Sequence, residues 1–373
     1  MGARVAAEVF PPGEFLREEL EARGWTQAEF AEIIGKDARL VSEVIGGKRT
    51  VTPETAIALG QALETGPELW MNLESQYQLS KVRSYGEESI AKKAKLHGLF
   101  PVREMVKRGW IESTKNIELL ESQVLSFFGI SSIDEQPEFL HAAKKKSYDD
   151  TSILQLAWLS RAKQLAKAAP AQKYSESKLK GAIEELRELV EYVDGARSVA
   201  SILNRYGIRF IVVESLPGCK IDGACFWIDK SPVIAMSLRF DRVDNFWHTL
   251  FHELDHVLHK EGMSHPILDV DIQSNDEKPA NEIRANDAAA ETLVPSKEFE
   301  GFIARVSPMF SDESINGFAL RMRVHPGIVV GQLQNRGLLP WSFHRKKLEK
   351  IRDFVTSTAL TDGFGRMLDL SSN

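Results

Sequence analysis

Several things are scarce in this chain of 373 residues, and each scarcity removes a class of protein. No apolar run approaches the roughly 18 residues that a membrane-spanning helix needs. There are two cysteines, Cys219 and Cys225, too few for a disulfide framework and not spaced as C-x-x-C. Internal repeats and long low-complexity stretches are missing, and a composition 43% hydrophobic and 27% charged excludes collagen-like and wholly disordered chains. The opening residues, MGARVAAEVFPPGEF, lack the apolar core of a signal peptide. A reducing cytoplasm is the expected compartment, with no membrane partner.

A basic surplus is missing too. Lys and Arg number 47 against 53 Asp and Glu, a formal net charge of −6. The first 80 residues hold seven basic and thirteen acidic residues, so they carry the whole imbalance. This bears on any nucleic-acid role for that segment, because DNA binders are usually basic.

What is present is an ordinary globular composition, 43% hydrophobic and 27% charged, long enough for two to four domains. Residues 13–79 read as five short helices. Gly24 suits the C′ position of the first. Thr26, with Glu29 three residues on, has the spacing of a capping box for the second. Gly35 makes a turn, and Asp37 is a candidate N-cap for a third helix over 38–45. Pro53 and Pro67 open the fourth and fifth. Two helices meeting at a glycine form a helix-turn-helix pattern. Its second helix would present Ala38, Arg39, Ser42 and Glu43 to a major groove. Gln27, Lys36, Arg39, Ser42, Lys48 and Arg49 are the candidate DNA contacts, and four of the seven bases fall between Lys36 and Arg49.

Residues 81–195 read as a basic, mostly helical connector. It includes Lys144-Lys145-Lys146, an apolar helix around Trp158, and an amphipathic helix from Lys178 to Val193. From about Ala196 β-branched runs take over. Residues 209–213, 224–228 and 232–236 are strand candidates, the last two joined as a hairpin through Asp229 and Lys230. A helix is expected over 243–259, a loop over 266–280 and a helix over 281–293. The predicted fold class is multidomain and mostly α: a five-helix helix-turn-helix domain, a helical connector, and an α+β domain with a small sheet.

The strongest motif is His252-Glu253-Leu254-Asp255-His256. Residues four apart share one face of a helix, so both imidazoles can reach one Zn²⁺. Glu253 beside them is placed to accept a proton from water and return it to a leaving amine. The favoured third ligand is Glu282, near the start of the next helix. Asp269, Asp271, Glu277 and Glu291 are rivals that spacing does not exclude. Asn286, one turn after Glu282, is a candidate to hydrogen-bond a ligand ring. His248 and His259 read as structural, and thiolate ligation as a weaker alternative. Tyr206, His265, His325 and His344 are candidates for stabilising an oxyanion.

"FWHTLFHELDHVLH" followed by "NEIRANDAAAETLVP", preceded by "YGIRFIVVESLPGCKIDGACFWIDKSPVIAMS", resembles the ImmA/IrrE family of gluzincin-like metallopeptidases over about residues 196–300. The resemblance implies a zincin-like fold, His252, His256 and Glu282 as zinc ligands, and Glu253 as general base. It also implies cleavage of a helix-turn-helix repressor that switches on stress or mobile-element genes. Asp255 departs from the small residue common there, and Ala288 from a Phe. Residues 10–79 resemble HigA-type antitoxins of the Xre-like regulators, closing on "PELWMNLESQYQL". That implies dimers on palindromic operators of double-stranded DNA. "ESQVLSFFGISSI" is similar to a helix found between the two modules in fused regulator–peptidases.

The expected domains are thus 1–80 helix-turn-helix, 81–195 connector, 196–345 metallopeptidase and 346–373 tail. The expected function is a regulator whose zinc-dependent peptidase cleaves a repressor, an antitoxin-like partner or itself. The alternative is a non-proteolytic repressor whose zinc domain senses a signal or docks a partner such as a toxin.

Overall fold

The computed structural model describes residues 9–82, 87–135, 152–170, 172–270 and 279–363. The chain divides into two compact units, Met1–Ala94 and Lys95–Asn373. The triple lysine at 144–146 and the rival ligands Asp271 and Glu277 lie outside the described residues. Among the described residues no helix is long and apolar enough to cross a membrane.

The first unit holds α1 (Pro12–Arg23), α2 (Gln27–Ile33), α3 (Ala38–Ile45), α4 (Pro53–Leu63) and α5 (Pro67–Val82). The helix ends fall where the caps were read. Glu29 N donates to Thr26 Oγ1 at 3.2 Å and Thr26 N to Glu29 Oε2 at 2.8 Å, a complete capping box. Arg39 N donates to Asp37 Oδ1 at 2.8 Å. Gly35 turns the chain between α2 and α3 at φ 62°, a value that favours glycine. Leu16, Phe30, Val41, Val44, Leu59 and Trp70 close the core.

The second unit is built on a five-stranded sheet in the order β4-β2-β3-β1-β5. Its strands are β1 (Arg209–Val212), β2 (Ile221–Ile228), β3 (Ser231–Met236), β4 (Ile267–Val270) and β5 (Leu360–Thr361). β2 and β3 form the predicted hairpin, with Asp229 and Lys230 both at positive φ in the turn. β1 lies parallel to both β3 and β5.

Alternate residues of the strands enter two cores. Phe210, Val212, Ile234 and Met236 face one. Ile211, Val213, Val233 and Ala235 face the other. A sheet apolar on both faces needs a layer on each. The first face is covered by α10 (Glu176–Arg187), α11 (Val199–Arg205), α12 (Val243–Leu258), α13 (Ala280–Leu293), α14 (Ser296–Val306), α15 (Asp312–Met322) and α16 (Pro326–Asn335).

The second face is covered by segments read as a connector: the end of α6 (Glu87–Leu99) at Leu96, then α7 (Val102–Lys107), α8 (Ile117–Phe128) and α9 (Ile153–Ala168). Trp158 Nε1 donates to Val213 O at 2.9 Å, and Arg108 reaches Glu214 O and Ser215 O at 2.7 and 2.9 Å. Lys93, Lys95, Arg103, Lys107 and Lys115 lie on the exposed side of this layer, whereas Arg108 is buried in it. The segment read as a tail also differs. It contributes α17 (Arg352–Thr356) and β5, whose pairing with β1 continues the sheet.

Two smaller expectations are corrected. The loop expected over 266–280 contains β4, a four-residue edge strand paired antiparallel with β2. Its brevity and its Asp269 hid it. The helix expected to reach Val193 ends at Arg187, whose guanidinium donates to Thr292 O, Leu293 O, Met322 O and Arg323 O at 2.8–3.0 Å. Those carbonyls belong to the C-terminal ends of α13 and α15, where orphan acceptors need donors.

Candidate metal centre

α12 is amphipathic but buried along most of its length, including Trp247, Leu250, Leu254 and Val257. It lies across the sheet against β2, and α13 packs beside it. His252, Glu253 and His256 are each 0% exposed.

His252 Nε2 and His256 Nε2 face each other at 3.0 Å. Glu282, from the first turn of α13, brings Oε2 to 3.2 Å from His252 Nε2 and Oε1 to 3.5 Å from His256 Nε2. Ligand atoms of these three residues all lie within 4.8 Å of one another. Asp269 of β4 approaches more distantly, at 3.9 Å from His252 Nε2, and could join His252 and Glu253 in an overlapping group. Glu291 is exposed and caps α14 through Ser296, at 2.8 Å from its N–H.

The donor set fits a divalent cation. His256 Nδ1 lies 2.6 Å from Glu261 Oε2, which keeps the proton on Nδ1 and turns the Nε2 lone pair toward Glu282 and His252. Burial, then the neighbouring His252, lowers the His256 pKa, favouring the neutral imidazole that binds metal. Glu253 is buried with no hydrogen-bond partner for either oxygen among the described residues. Burial first, then the charges of Asp269 and Glu282, hold its pKa well above the carboxylate range. Orphaned carboxylate oxygens of this kind are expected beside a bound ion and its water. Cys219 is pushed up to about 11 by burial, and burial also raises Cys225 well above the ordinary thiol value, so both stay thiols.

Sequence reasoning missed three contributors. Glu261 holds His256 and is itself gripped by Arg284, whose Nη1 and Nη2 donate to its two oxygens at 3.1 and 2.9 Å. Burial opposes ionisation of Glu261, but the bonds from Arg284 and His256 outweigh it and lower its pKa. Arg284 Nε also donates to Asp255 Oδ2 at 2.8 Å, so the unusual Asp255 ties α12 to α13. The signal lay in charge complementarity across two helices, which needs their pairing to be known.

The third is Gly223, at an irregularity in β2. A Cβ there would stand 2.3 Å from Glu253 Oε1 and 3.0 Å from Thr249 Cγ2. Gly223→Ala is therefore expected to lower stability by about 1–3 kcal/mol through overpacking, read from the urea midpoint. Gly317→Ala, whose Cβ meets nothing within 4 Å inside α15, is expected to raise the same midpoint.

Asn286 is placed differently from its expected role. Its Oδ1 accepts from His248 Nε2 at 3.2 Å and its Nδ2 donates to Glu282 O at 2.8 Å, so it touches no ligand ring. His259 Nδ1 donates to Asp255 O at 2.9 Å. The oxyanion candidates sit elsewhere. Tyr206 is bonded to Glu185, His325 to Glu349 and His344 to Asp312, and His265 is exposed.

In the first unit, Gln27, Lys36, Arg39, Ser42, Lys48 and Arg49 are all exposed on or beside α2 and α3. Arg39 Nε donates to Glu43 Oε1 at 2.7 Å and Arg49 Nη1 to Glu43 Oε2 at 3.4 Å. Two of the four bases there are thus partly neutralised by Glu43 of α3.

The helix-turn-helix family matches residues 16–70, and the IrrE N-terminal-like domain of the M78 peptidases matches residues 204–325. The chain is 30% identical over 70 residues to the uncharacterized HTH-type transcriptional regulator YddM of Escherichia coli K12, covering 19% of this chain and 74% of that one. It is 32% identical over 72 residues to virulence-associated protein A' of Dichelobacter nodosus, 19% of this chain and 63% of that one. Among solved structures, the Pseudomonas aeruginosa antitoxin HigA with the higBA promoter is 30% identical, matching 22% of this chain and 91% of that one at a TM-score of 0.22.

Proposed function

Because the chain joins a domain of the helix-turn-helix family to one of the IrrE N-terminal-like family, we propose that it is a DNA-binding regulator with a zinc-dependent peptidase site. Its substrate is a peptide bond in a repressor, an antitoxin-like partner or the chain itself. The output is control of stress, toxin–antitoxin or mobile-element genes. The observation that carries this reading is the meeting of His252 Nε2, His256 Nε2 and Glu282 within 3.0–3.5 Å, beside the buried Glu253.

His252, His256 and Glu282 would hold the ion, leaving a fourth position open. Zn²⁺ bound there supplies Lewis acidity. Glu253 takes the proton of the attacking water and delivers it to the leaving amine. Glu261 keeps His256 in the ligating tautomer, and the burial of the site limits access of other water.

The test uses the full-length chain and a degenerate peptide library. One equivalent of zinc and cleavage abolished by a chelator, then restored by Zn²⁺, is the expected result. Glu282→Ala should lose the zinc. Zinc retained in that variant would move the third ligand to Asp269. At the first unit, binding to the palindromic operator as a homodimer is expected to be strongly salt-dependent. Lys48→Ala should flatten the slope of log affinity against log salt by about 0.9 for each phosphate that the lysine neutralises, as read by fluorescence anisotropy. An unchanged slope would remove Lys48 from the DNA interface.

A further inference from the structure

One turn from His252 and Glu282, His248 Nε2 donates to Asn286 Oδ1 at 3.2 Å. Beside that pair, α12, α13 and α16 line an open cavity of about 100 Å³. Leu293, Ile328, Ala290, Gln332 and Trp341 are among the residues that line it.

Three observations define the occupant. The charges around the cavity are already matched. Asp244 accepts from Arg242 at 3.0 and 2.6 Å, and Arg336 pairs with Glu300, so a neutral group is favoured. Trp341, 49% exposed, adds a large apolar surface to the lining. Gln332 Nε2 donates to Ala290 O at 3.3 Å, which fixes the amide orientation. Its Oε1 is buried without a hydrogen-bond partner among the described residues. A buried orphan acceptor costs free energy until a donor reaches it, and a peptide N–H is such a donor.

Resting on the peptidase reading above, we propose that this cavity is a subsite for an apolar side chain of the polypeptide substrate, with Gln332 Oε1 accepting from the substrate backbone. His248 and Asp244 precede His252 by one and two turns of α12. At about 1.5 Å per residue, that places the cavity roughly 6–12 Å from the ligands. An extended chain advances about 3.3 Å per residue. The side chain therefore sits roughly two to four residues from the scissile bond.

Mass spectrometry of a degenerate peptide library cut by the zinc-loaded full-length chain tests the position. Leu, Ile, Met or Phe should be enriched at one site two to four residues from the cut. Ala290→Phe, which fills the cavity, should erase that enrichment. Cleavage without the enrichment, or enrichment that survives Ala290→Phe, overturns the subsite and leaves the peptidase standing.

If the wild type cuts nothing, the peptidase reading fails, and binding decides the subsite separately. Acetyl-Leu-Leu-amide is titrated into the zinc-treated Glu253→Gln chain and followed by tryptophan fluorescence, with Trp341→Phe identifying the signal. Affinity about tenfold weaker in both Ala290→Phe and Gln332→Leu supports the site. Equal affinity in the three proteins overturns it.

Discussion

In the zinc-loaded chain, Glu253→Gln is expected to lower peptide cleavage about 10³-fold while zinc content stays at the wild-type level. Removing a positioned general base costs on the order of 10²–10⁴ in rate. Glu253 is no ligand in the proposed set, so the ion should remain. The side chain is fully buried, and Gln keeps its volume. Ionising Glu253 in the metal-free protein is opposed by burial and by Asp269 and Glu282. The neutral amide should therefore unfold no earlier than wild type, and thermal melts of the two apo proteins check this. Cleavage that survives the substitution would place the base elsewhere. Lost cleavage with every regulatory output intact would favour the non-proteolytic sensor over the peptidase.

The same residue marks how far sequence carries. The helix bearing His252 and His256 was legible because its apolar period and its two imidazoles coincide on one element. Glu282 was favoured among five acids, and the fold brings it to the histidines through the side-by-side packing of α12 and α13. Asp269, a rival, approaches more distantly because β4 pairs with β2 at the edge of the same sheet.

What stayed hidden depends on contacts between elements. An amphipathic helix announces an apolar face but not its partner, so α6 to α9 read as a connector and fold as a layer on the sheet. The signal that was available is β2 itself. Nearly every residue of Ile221–Ile228 is buried, and a strand apolar on both faces requires two covering layers. Asn286 lies one turn from Glu282 on α13. Its partner His248 lies one turn before His252 on α12, and the pair meets between α12 and α13 without touching a ligand ring. In the first unit the caps and turn are local, and local signals survive without tertiary knowledge.

The second large effect is expected at a residue that motif spacing overlooked. Glu261→Gln should weaken zinc affinity about 10–100-fold, measured by competition with a chelating dye. Glu261 Oε2 is 2.6 Å from His256 Nδ1 and fixes that ring as a donor on the side away from the ligands. With the carboxylate replaced, the amide can offer its N–H to Nδ1. The ring proton then moves to Nε2, which must lose it before binding zinc. Asp255→Asn separates ring orientation from helix docking. It weakens the Arg284 link between α12 and α13 but leaves both Arg284 bonds to Glu261 and the Glu261–His256 bond in place. Its zinc affinity should therefore fall by only a few-fold, since a charge-assisted bond on one side of a shared guanidinium contributes less than the tautomer-setting bond itself. Equal losses in the two variants would mean that Arg284 acts as a latch on the whole site. A large loss confined to Glu261→Gln would place the effect at the His256 ring.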